Sequence, residues 1–354
     1  MYLNIQKNIC SDSLPLKGAI IGFGGVAEYA HAPLLKRDPR FFITAVVEPN
    51  EIRRERAKKI FGEIKLYEDL DSLFKNEDLD FIDICTPPAY HIDAIMKACE
   101  YKVNVLCEKP LVTSLKDLRK VIEEHKRAGI VIFCVNNWRY APIWTKTIEL
   151  VNMGCIGKVQ EISLSVLRTP NSGGGVTDWR KKKDIAGGGI LMDHGWHNMY
   201  IVNSIVRKQP ICVSAKMKYI NSQQLELLED EVELTIDYGN TKANIFLTWR
   251  AGYRKNFGFI CGDKGKIFIN DDHIIFRNNG SAIRYNFGLP LSKGSHHLDW
   301  MIPVLNNFFD EVTGRKARGE NIKEAAKCLY LISLAYESHK NGYSSVKACN
   351  MLDE

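Results

Sequence analysis

Short apolar runs alternate with helical stretches over the first 136 residues, and this alternation constrains the fold more than any other feature. The runs have the length and composition of buried strands, and they occupy residues 19–21, 42–47, 81–85, 103–107 and 131–135. The segments between them, such as 51–61 and 115–128, have helical periodicity. Strands that alternate with helices of about 10–15 residues indicate βαβ units on a parallel sheet. We therefore predict a doubly wound α/β domain over residues 1–136.

The pattern changes after residue 136, where short strand candidates follow one another. They lie at residues 158–168, 211–220, 231–238, 242–249, 257–261, 266–269 and 273–276. Several of them alternate apolar with polar residues and are separated by turns rich in glycine and asparagine, which is typical of an antiparallel sheet with one solvated or interface face. We predict an α+β domain over residues 137–354 with a large, mainly antiparallel sheet. The helical stretches at 297–312 and 322–340 are expected to pack back on the N-terminal domain.

Composition narrows the class of protein. The net charge of +6 is modest, and it is not clustered with aromatic residues as in nucleic-acid binders. Ten cysteines are scattered without a C-x-x-C pair, which favours a reducing compartment over disulfides or zinc. No apolar run approaches the roughly 20 residues that span a bilayer, and the N-terminus lacks the apolar core of a signal peptide. We expect a cytoplasmic protein without nucleic-acid or membrane partners.

A glycine-rich turn follows the first strand and opens a helix. Its sequence is Gly22-Phe23-Gly24-Gly25-Val26-Ala27. Small residues at this spacing allow a tight turn and close approach of the backbone to a pyrophosphate, which the helix N-terminus then binds. The turn predicts a Rossmann dinucleotide site.

Glu48 strengthens this prediction because it ends the next strand, about 20 residues further on. A carboxylate there accepts hydrogen bonds from the adenosine ribose hydroxyls and repels a 2′-phosphate. This favours NAD as the cofactor. Arg53 and Arg54 lie close by in sequence, so that NADP stays open.

Two further loops follow strands, and the carboxyl ends of strands line the ligand crevice of such sheets. They are Thr86-Pro87-Pro88 and Glu108-Lys109-Pro110. The ammonium of Lys109 could donate a hydrogen bond to a reacting hydroxyl and stabilise negative charge on its oxygen. The alternative is a surface lysine that only precedes a strand-ending proline.

The segment from Gly187 to His197 contains three glycines, Asp193 and His197. Asp193 and His197 are four residues apart and are expected on one helix face, where the carboxylate can orient the imidazole for acid–base work. His194 is expected to be structural. No third ligand accompanies the pair, so we predict no metal.

These motifs occur in one order and together closely resemble the glucose–fructose oxidoreductase, inositol dehydrogenase and rhizopine-catabolism (Gfo/Idh/MocA) family. The resemblance covers residues 16 to 269, and more loosely the C-terminal helices. It implies a Rossmann domain followed by a sheet domain that often forms the subunit interface, and hence a homodimer or homotetramer. It also implies Lys109, Asp193 and His197 as catalytic residues. The cofactor-binding residues implied are Gly22, Phe23, Gly24, Gly25, Val26, Ala27, Glu48, Thr86, Pro87, Pro88, His91, Glu108, Lys109 and Asn137.

The functional hypothesis is hydride transfer between NAD(P) and a hydroxyl-bearing carbon of a sugar, sugar derivative or cyclitol. His197 would remove the hydroxyl proton, Asp193 would orient His197, and Lys109 would stabilise the developing alkoxide. Substrate contacts are expected from these three and, more weakly, from Arg139, Arg168, Trp179, Arg180 and Asn198. The basic run 180–183 leaves an anionic substrate group open.

Two other classes of protein stay open at this stage. One is a regulator that binds the dinucleotide without catalysis, against which the intact Lys109, Asp193 and His197 argue. The other is a lyase- or glycosidase-like enzyme that uses NAD transiently without net redox change. Both this enzyme and a simple dehydrogenase begin with hydride abstraction, so the sequence does not separate them.

Overall fold

The fold is described from a computed structural model, which covers residues 15–170, 179–219, 228–293 and 297–349. The first sheet has six parallel strands in the order β3-β2-β1-β4-β5-β6. They are β1 Leu16–Ile21, β2 Phe41–Val47, β3 Lys65–Tyr67, β4 Phe81–Ile84, β5 Asn104–Cys107 and β6 Ile132–Cys134. The connecting helices are α1 Ala32–Arg37, α2 Glu51–Phe61, α3 Leu70–Asn76, α4 His91–Tyr101 and α5 Leu115–Ala128.

Local sequence fixes where these helices begin. The side chains of Asn50, Asp69 and Ser114 accept hydrogen bonds from the backbone N–H three residues on, at the starts of α2, α3 and α5. Gly129 ends α5 in the left-handed conformation that glycine adopts without strain. The strands β4 and β6 are buried at every residue, as expected for a sheet covered on both faces. The short strand β3 was not predicted, because three residues carry little periodicity.

The strand order places a topological switch point between β1 and β4. The chain runs from β1 outward to β2 and β3, and then returns to β4 on the other side of β1. Helices therefore diverge at the carboxyl ends of these two strands and leave a crevice between them. Gly22 follows β1 and Thr86 follows β4, so both loops meet at that crevice.

The second sheet has nine strands in the order β14-β13-β12-β11-β7-β10-β9-β8-β15. Only β7 and β10 pair in parallel, and the other pairs are antiparallel. The strands are β7 Val159–Leu167, β8 Cys212–Lys218, β9 Glu231–Asp237, β10 Lys242–Thr248, β11 Lys255–Gly262, β12 Gly265–Asn270, β13 His273–Asn278, β14 Ser281–Asn286 and β15 Val346–Lys347. The predicted fold class is confirmed, whereas β14 and β15 were not predicted.

The remaining helices connect the two sheets. They are α6 Pro142–Asn152, α7 Lys183–Ala186, α8 Trp196–Val206, α9 Leu298–Val312 and α10 Glu320–Lys340. α8 is buried at all but one position, where it packs among the second sheet, α6 and α10. Phe308 of α9 packs against Phe41, Phe81 and Phe133 of the first sheet. Both halves of the chain therefore contribute residues around the crevice, and the division at residue 136 stays a prediction.

Among the described helices, none is both long enough and apolar enough to cross a membrane.

Candidate active site

A cavity of about 840 Å³ opens at the carboxyl ends of the first sheet and reaches the second sheet. Most of the residues predicted to bind cofactor or substrate line it. They are Gly22, Gly24, Gly25, Val26, Glu48, Thr86, Pro87, Pro88, Glu108, Lys109, Asn137, Arg168, Trp179, Arg180, Asp193 and His197. The fold thus brings together residues that are separated by up to 175 positions in the sequence.

The glycine turn has the shape that a dinucleotide needs. Gly22 has a φ of +83°, and a Cβ at this position would lie 2.7 Å from Cγ2 of Thr86. At Gly24, by contrast, a Cβ would meet nothing within 4 Å, so a side chain there would stand in open space beside the cavity. The absence of side chains at Gly24 and Gly25 leaves backbone as the wall of the cavity, which fits a pyrophosphate that binds main-chain groups.

Glu48 lies beside this turn and is held rigidly. One carboxylate oxygen accepts a hydrogen bond from the backbone N–H of Phe23 at 2.7 Å, and the other accepts from Asn50 at 3.0 Å. Arg53 lies 3.8 Å from the same carboxylate. Each oxygen keeps a lone pair for a ribose hydroxyl, so the group fits NAD. Arg53 also lines the cavity, whereas Arg54 pairs with Glu68 at 2.9 Å and does not line it.

Three predicted cofactor residues do not line the cavity. The side chains of Phe23 and Ala27 are fully buried in the core under the glycine turn. His91 is also fully buried, and its ring nitrogens lie 2.9 Å from the carbonyl oxygens of Pro110 and Thr86. His91 therefore joins the two loops that carry Thr86 and Lys109 and acts from behind the site.

A buried charged group that sequence reasoning missed lies behind Glu108. Nδ1 of His31 lies 2.9 Å from the carboxylate of Asp83, and Nε2 lies 3.0 Å from that of Glu108. Burial by itself opposes a charged imidazole, but the charge of Asp83 and its hydrogen bond outweigh it and raise the pKa of His31 well above the ordinary value. An imidazolium thus bridges two carboxylates and fixes Glu108, the residue before Lys109.

Lys109 and Asp193 form an ion pair inside the cavity. Nζ of Lys109 lies 2.6 Å from Oδ1 of Asp193 and 3.0 Å from its carbonyl oxygen, and both side chains are at most a quarter exposed. Burial would raise the pKa of Asp193, but the charge of Lys109 holds it well below the ordinary value. The sequence expectation was that Asp193 would orient His197. The structure places Asp193 on Lys109 instead, because an ammonium is a stronger partner for a carboxylate than a neutral imidazole is.

His197 is oriented by other groups. Its Nδ1 lies 2.6 Å from the hydroxyl of Tyr200, which also accepts the backbone N–H of Trp138 at 3.0 Å. The imidazole stacks on the indole of Trp138, with ring centres 4.5 Å apart. Burial, followed by the positive charge of Lys109, holds the pKa of His197 well below its ordinary value. The imidazole is therefore neutral near pH 7.

His194 was expected to be structural, yet it lines the same cavity. Its Nε2 lies 3.7 Å from Oδ2 of Asp193. Burial lowers its pKa to about 3, so it too is neutral. The segment Leu191–Gly195 has π-type rather than α-type hydrogen bonding. A helical wheel drawn for an α-helix therefore does not predict which of its side chains face the cavity.

The predicted substrate residues divide into two groups. Arg168, Trp179 and Arg180 line the cavity, and the guanidinium of Arg180 lies over the ring of Trp179 at 4.4 Å. Arg139 instead pairs with Glu324 at 2.6 Å, outside the cavity. Asn198 donates to the carbonyl of His194 at 2.9 Å and does not line it either. In both cases the polar group has a partner within the fold at a position outside the cavity, so neither side chain faces the ligand space.

The chain is similar in sequence to two dehydrogenases and similar in fold to a solved structure. It is 24% identical over 352 residues to D-glucoside 3-dehydrogenase of Escherichia coli, which spans 93% of this chain and 97% of the relative. It is 31% identical over 139 residues to myo-inositol 2-dehydrogenase of Thermotoga maritima, which spans 39% of this chain and 41% of the relative. The crystal structure of GenD2 from gentamicin A biosynthesis in complex with NAD superposes with a TM-score of 0.81 at 22% identity, covering 96% of this chain and 97% of that chain. The structural likeness shows the fold.

Two family models match consecutive parts of the chain. Residues 16–136 match the model described as "Oxidoreductase family, NAD-binding Rossmann fold", and residues 144–268 match the one described as "GFO/IDH/MocA C-terminal domain". Both matched parts contribute walls to the one cavity. The chain belongs to the Gfo/Idh/MocA family of oxidoreductases and carries its NAD-binding Rossmann domain.

Proposed function

We propose that this protein is an NAD-dependent dehydrogenase that oxidises, or in reverse forms, a hydroxyl-bearing carbon of a sugar, sugar derivative or cyclitol. One observation carries the proposal: a single cavity joins the dinucleotide turn to Lys109, Asp193 and His197. The relatives support it, since their names give a D-glucoside and myo-inositol as the compounds they dehydrogenate.

The chain's own residues would hold the cofactor from one side of the cavity. Gly24 and Gly25 offer backbone to the pyrophosphate, and Glu48 offers a fixed carboxylate to the ribose. When bound, NAD supplies the hydride acceptor. Lys109 follows β5 and lines the cavity that the glycine turn and the second sheet also line. It can therefore reach a substrate that is bound in this cavity beside the cofactor.

Lys109 acts on the substrate oxygen. Its ammonium donates a hydrogen bond to the hydroxyl and lowers the cost of negative charge as the C–H bond breaks. Asp193 keeps the ammonium in place through the 2.6 Å contact and balances its charge in a site of low polarity. This role for Asp193 replaces the orientation of His197 that the sequence predicted.

His197 accepts the hydroxyl proton. Because its pKa is low, it is unprotonated when substrate binds, which is the state that a general base requires. Nδ1 is engaged by Tyr200, which leaves Nε2 as the ring nitrogen available to the substrate. The hydroxyl of Tyr200 rotates between donating to and accepting from Nδ1, and when it accepts, the lone pair of Nε2 is free to take the proton. The carbonyl product then forms as hydride leaves the same carbon.

A second copy of the chain is proposed to cover the open face of the second sheet. One face of β11, β12 and β13 presents incompletely buried apolar residues in adjacent register positions. They are Phe257, Phe259, Phe268 and Ile275. A continuous apolar patch of this kind is characteristic of an interface, and it supports a homodimer or homotetramer.

The experiment is to compare wild type with His197→Ala, using His339→Ala as the control because His339 lies on α10 outside the cavity. Loss of a general base costs about 10²–10⁴ in rate. We expect that loss in NADH formation for His197→Ala alone, with unchanged NAD binding in a titration calorimeter. Normal turnover in His197→Ala would exclude the assignment. Substrate consumption without released NADH would indicate instead an enzyme that reoxidises its cofactor in every cycle.

A further inference from the structure

Arg168 is a buried cation with no carboxylate at ion-pair distance among the described residues. The residue is only 1% exposed, and it lines the cavity at the end of β7. Its guanidinium donates to the carbonyl oxygens of Leu167 and Lys255 and to the side-chain oxygen of Asn256, all neutral acceptors. Its Nε–H has no acceptor among the described residues. Burying a charge in this way is costly unless an anion pairs with it.

A second arginine adds to the positive charge at the same place. Arg254 precedes β11, lines the cavity and donates from Nε to the carbonyl oxygen of Ser292 at 2.9 Å. Burial, and then the like charge of Arg254, lower the pKa of Arg168 to about 10. Two guanidinium groups that repel each other are thus held on one wall.

Two carboxylates, Asp193 and Asp271, attract Arg168 from beyond ion-pair distance, and both are already occupied, Asp193 by Lys109. Asp271 accepts hydrogen bonds from the backbone N–H groups of Asn256 and Ser292, and from both of their side chains. Within the described parts of the chain, neither Arg168 nor Arg254 lies within 4.0 Å of a carboxylate oxygen. By contrast, Arg139 pairs with Glu324, and Lys109 with Asp193.

The cofactor does not account for this charge. The turn at Gly24 and the carboxylate of Glu48 belong to the first sheet, whereas Arg168 and Arg254 flank strands of the second. Trp249 and Trp300 line the same cavity, and indole faces suit the apolar face of a sugar ring. The wall therefore combines aromatic surface with two cations that have no ion-pair partner among the described residues.

We infer that the substrate is an anionic sugar derivative, whose carboxylate or phosphate group binds Arg168 and Arg254. This inference rests on the proposed function for the position of the reacting carbon, but the anion site itself is defined by the two arginines. It narrows the substrate class from neutral sugars and cyclitols to sugar acids and sugar phosphates. Guanidinium groups match such anions because their N–H donors form paired hydrogen bonds.

Binding to the NADH-saturated protein tests the inference without requiring turnover. The probes are glucuronate, galacturonate, gluconate and glucose 6-phosphate, each compared with neutral glucose and myo-inositol by titration calorimetry. The variant is Arg254→Gln, because Arg254 is half-buried and its loss leaves Arg168 packed. The matched control is Arg250→Gln, since Arg250 lies four residues earlier, near Asp230 and Glu231 and outside the cavity.

We expect at least one anionic probe to bind about 10- to 100-fold more tightly than the neutral probes, and Arg254→Gln to remove that margin. Arg250→Gln should keep it, and NADH affinity should not change in either variant. Sugar acids and sugar phosphates among the probes separate a carboxylate site from a phosphate site. Equal binding of neutral and anionic probes, or no binding of the anionic ones, overturns the inference.

These outcomes are separable from failure of the proposed function. Arg254-dependent binding of an anionic probe without any NADH formation in either direction would keep the anion site and reject the dehydrogenase. Oxidation of neutral glucose or inositol, together with anionic probes that bind no more tightly than these and are unaffected by Arg254→Gln, would keep the dehydrogenase and reject the anion site. A further variant, Arg168→Lys, preserves the positive charge but not the paired N–H donors of the guanidinium. It should weaken the binding of anionic probes more than that of neutral probes.

Discussion

Replacing His31 by glutamine should destabilise the protein strongly, although His31 does not itself line the cavity. The imidazolium is 1% exposed and lies within 3.0 Å of both Asp83 and Glu108. Glutamine keeps hydrogen-bonding capacity but removes the positive charge that both carboxylates face. Leaving a buried charge uncompensated typically costs about 3–5 kcal/mol. At about 2–4 °C per kcal/mol, the melting temperature should fall by roughly 6–20 °C.

The pH dependence of this difference follows from the raised pKa of His31. Between about pH 6.5 and the folded pKa, the folded protein holds a proton that the unfolded chain has lost. The stabilisation is therefore complete below about pH 6.5. It declines by about 1.4 kcal/mol per pH unit from there until the pH has passed the pKa of His31 in the folded protein. The wild-type advantage over His31→Gln should shrink in the same direction.

Urea unfolding followed by circular dichroism at several pH values measures both effects. His125→Gln is the control, since His125 lies on α5 away from the network and should change stability by less than about 1 kcal/mol. A His31→Gln variant within about 1 kcal/mol of wild type would refute the charged bridge. So would an advantage of wild type that grows between pH 6.5 and 8.

Three further predictions concern the cofactor, the base and the assembly. Glu48→Gln should weaken NAD binding about 10-fold or more and narrow its margin over NADP in calorimetric titration, whereas an unchanged ratio would mean that Glu48 does not select the cofactor. In the wild type, kcat/KM for oxidation should stay constant down to pH 6.5 and fall only below it, because His197 is protonated through its lowered pKa. A fall in kcat/KM already at pH 7 would contradict a neutral His197. The variant Tyr200→Phe should reduce kcat more than it changes KM. Phe259→Lys should dissociate the oligomer in light scattering, because it adds a charge beside Lys266 on the open face of the sheet; an unchanged mass would place the interface elsewhere.

The fold was predictable from the sequence because its main elements are locally encoded. Buried parallel strands give continuous apolar runs, and side-chain caps such as Asn50 and Ser114 mark where helices begin. The glycine turn identifies the crevice, because the positive φ of Gly22 and its close packing against Thr86 leave no room for a side chain at residue 22. The elements that escaped prediction are short or lie at edges, such as β3 and β15, where pairing to a neighbour rather than periodicity creates the strand.

The pairing of side chains within the site was much less predictable. Sequence spacing placed Asp193 with His197, but Lys109, 84 positions earlier, takes the carboxylate. His31 carried no motif that would connect it with Asp83 and Glu108, since that contact depends on three separate strand and helix ends. Such choices among polar partners depend on distance and burial in three dimensions, which a one-dimensional pattern does not contain.

Lys109 is proposed to act on a hydroxyl-bearing carbon, and a turnover assay can establish whether it does. Purified protein with NAD is mixed with sugars, sugar acids, sugar phosphates, glycosides and cyclitols, and absorbance at the NADH band is followed alongside the carbonyl product. We expect NADH and carbonyl product in equal amounts with at least one of these compounds, and loss of both in Lys109→Met, which still binds NAD. Full NAD binding with no NADH from any compound, or undiminished NADH formation in Lys109→Met, would contradict it.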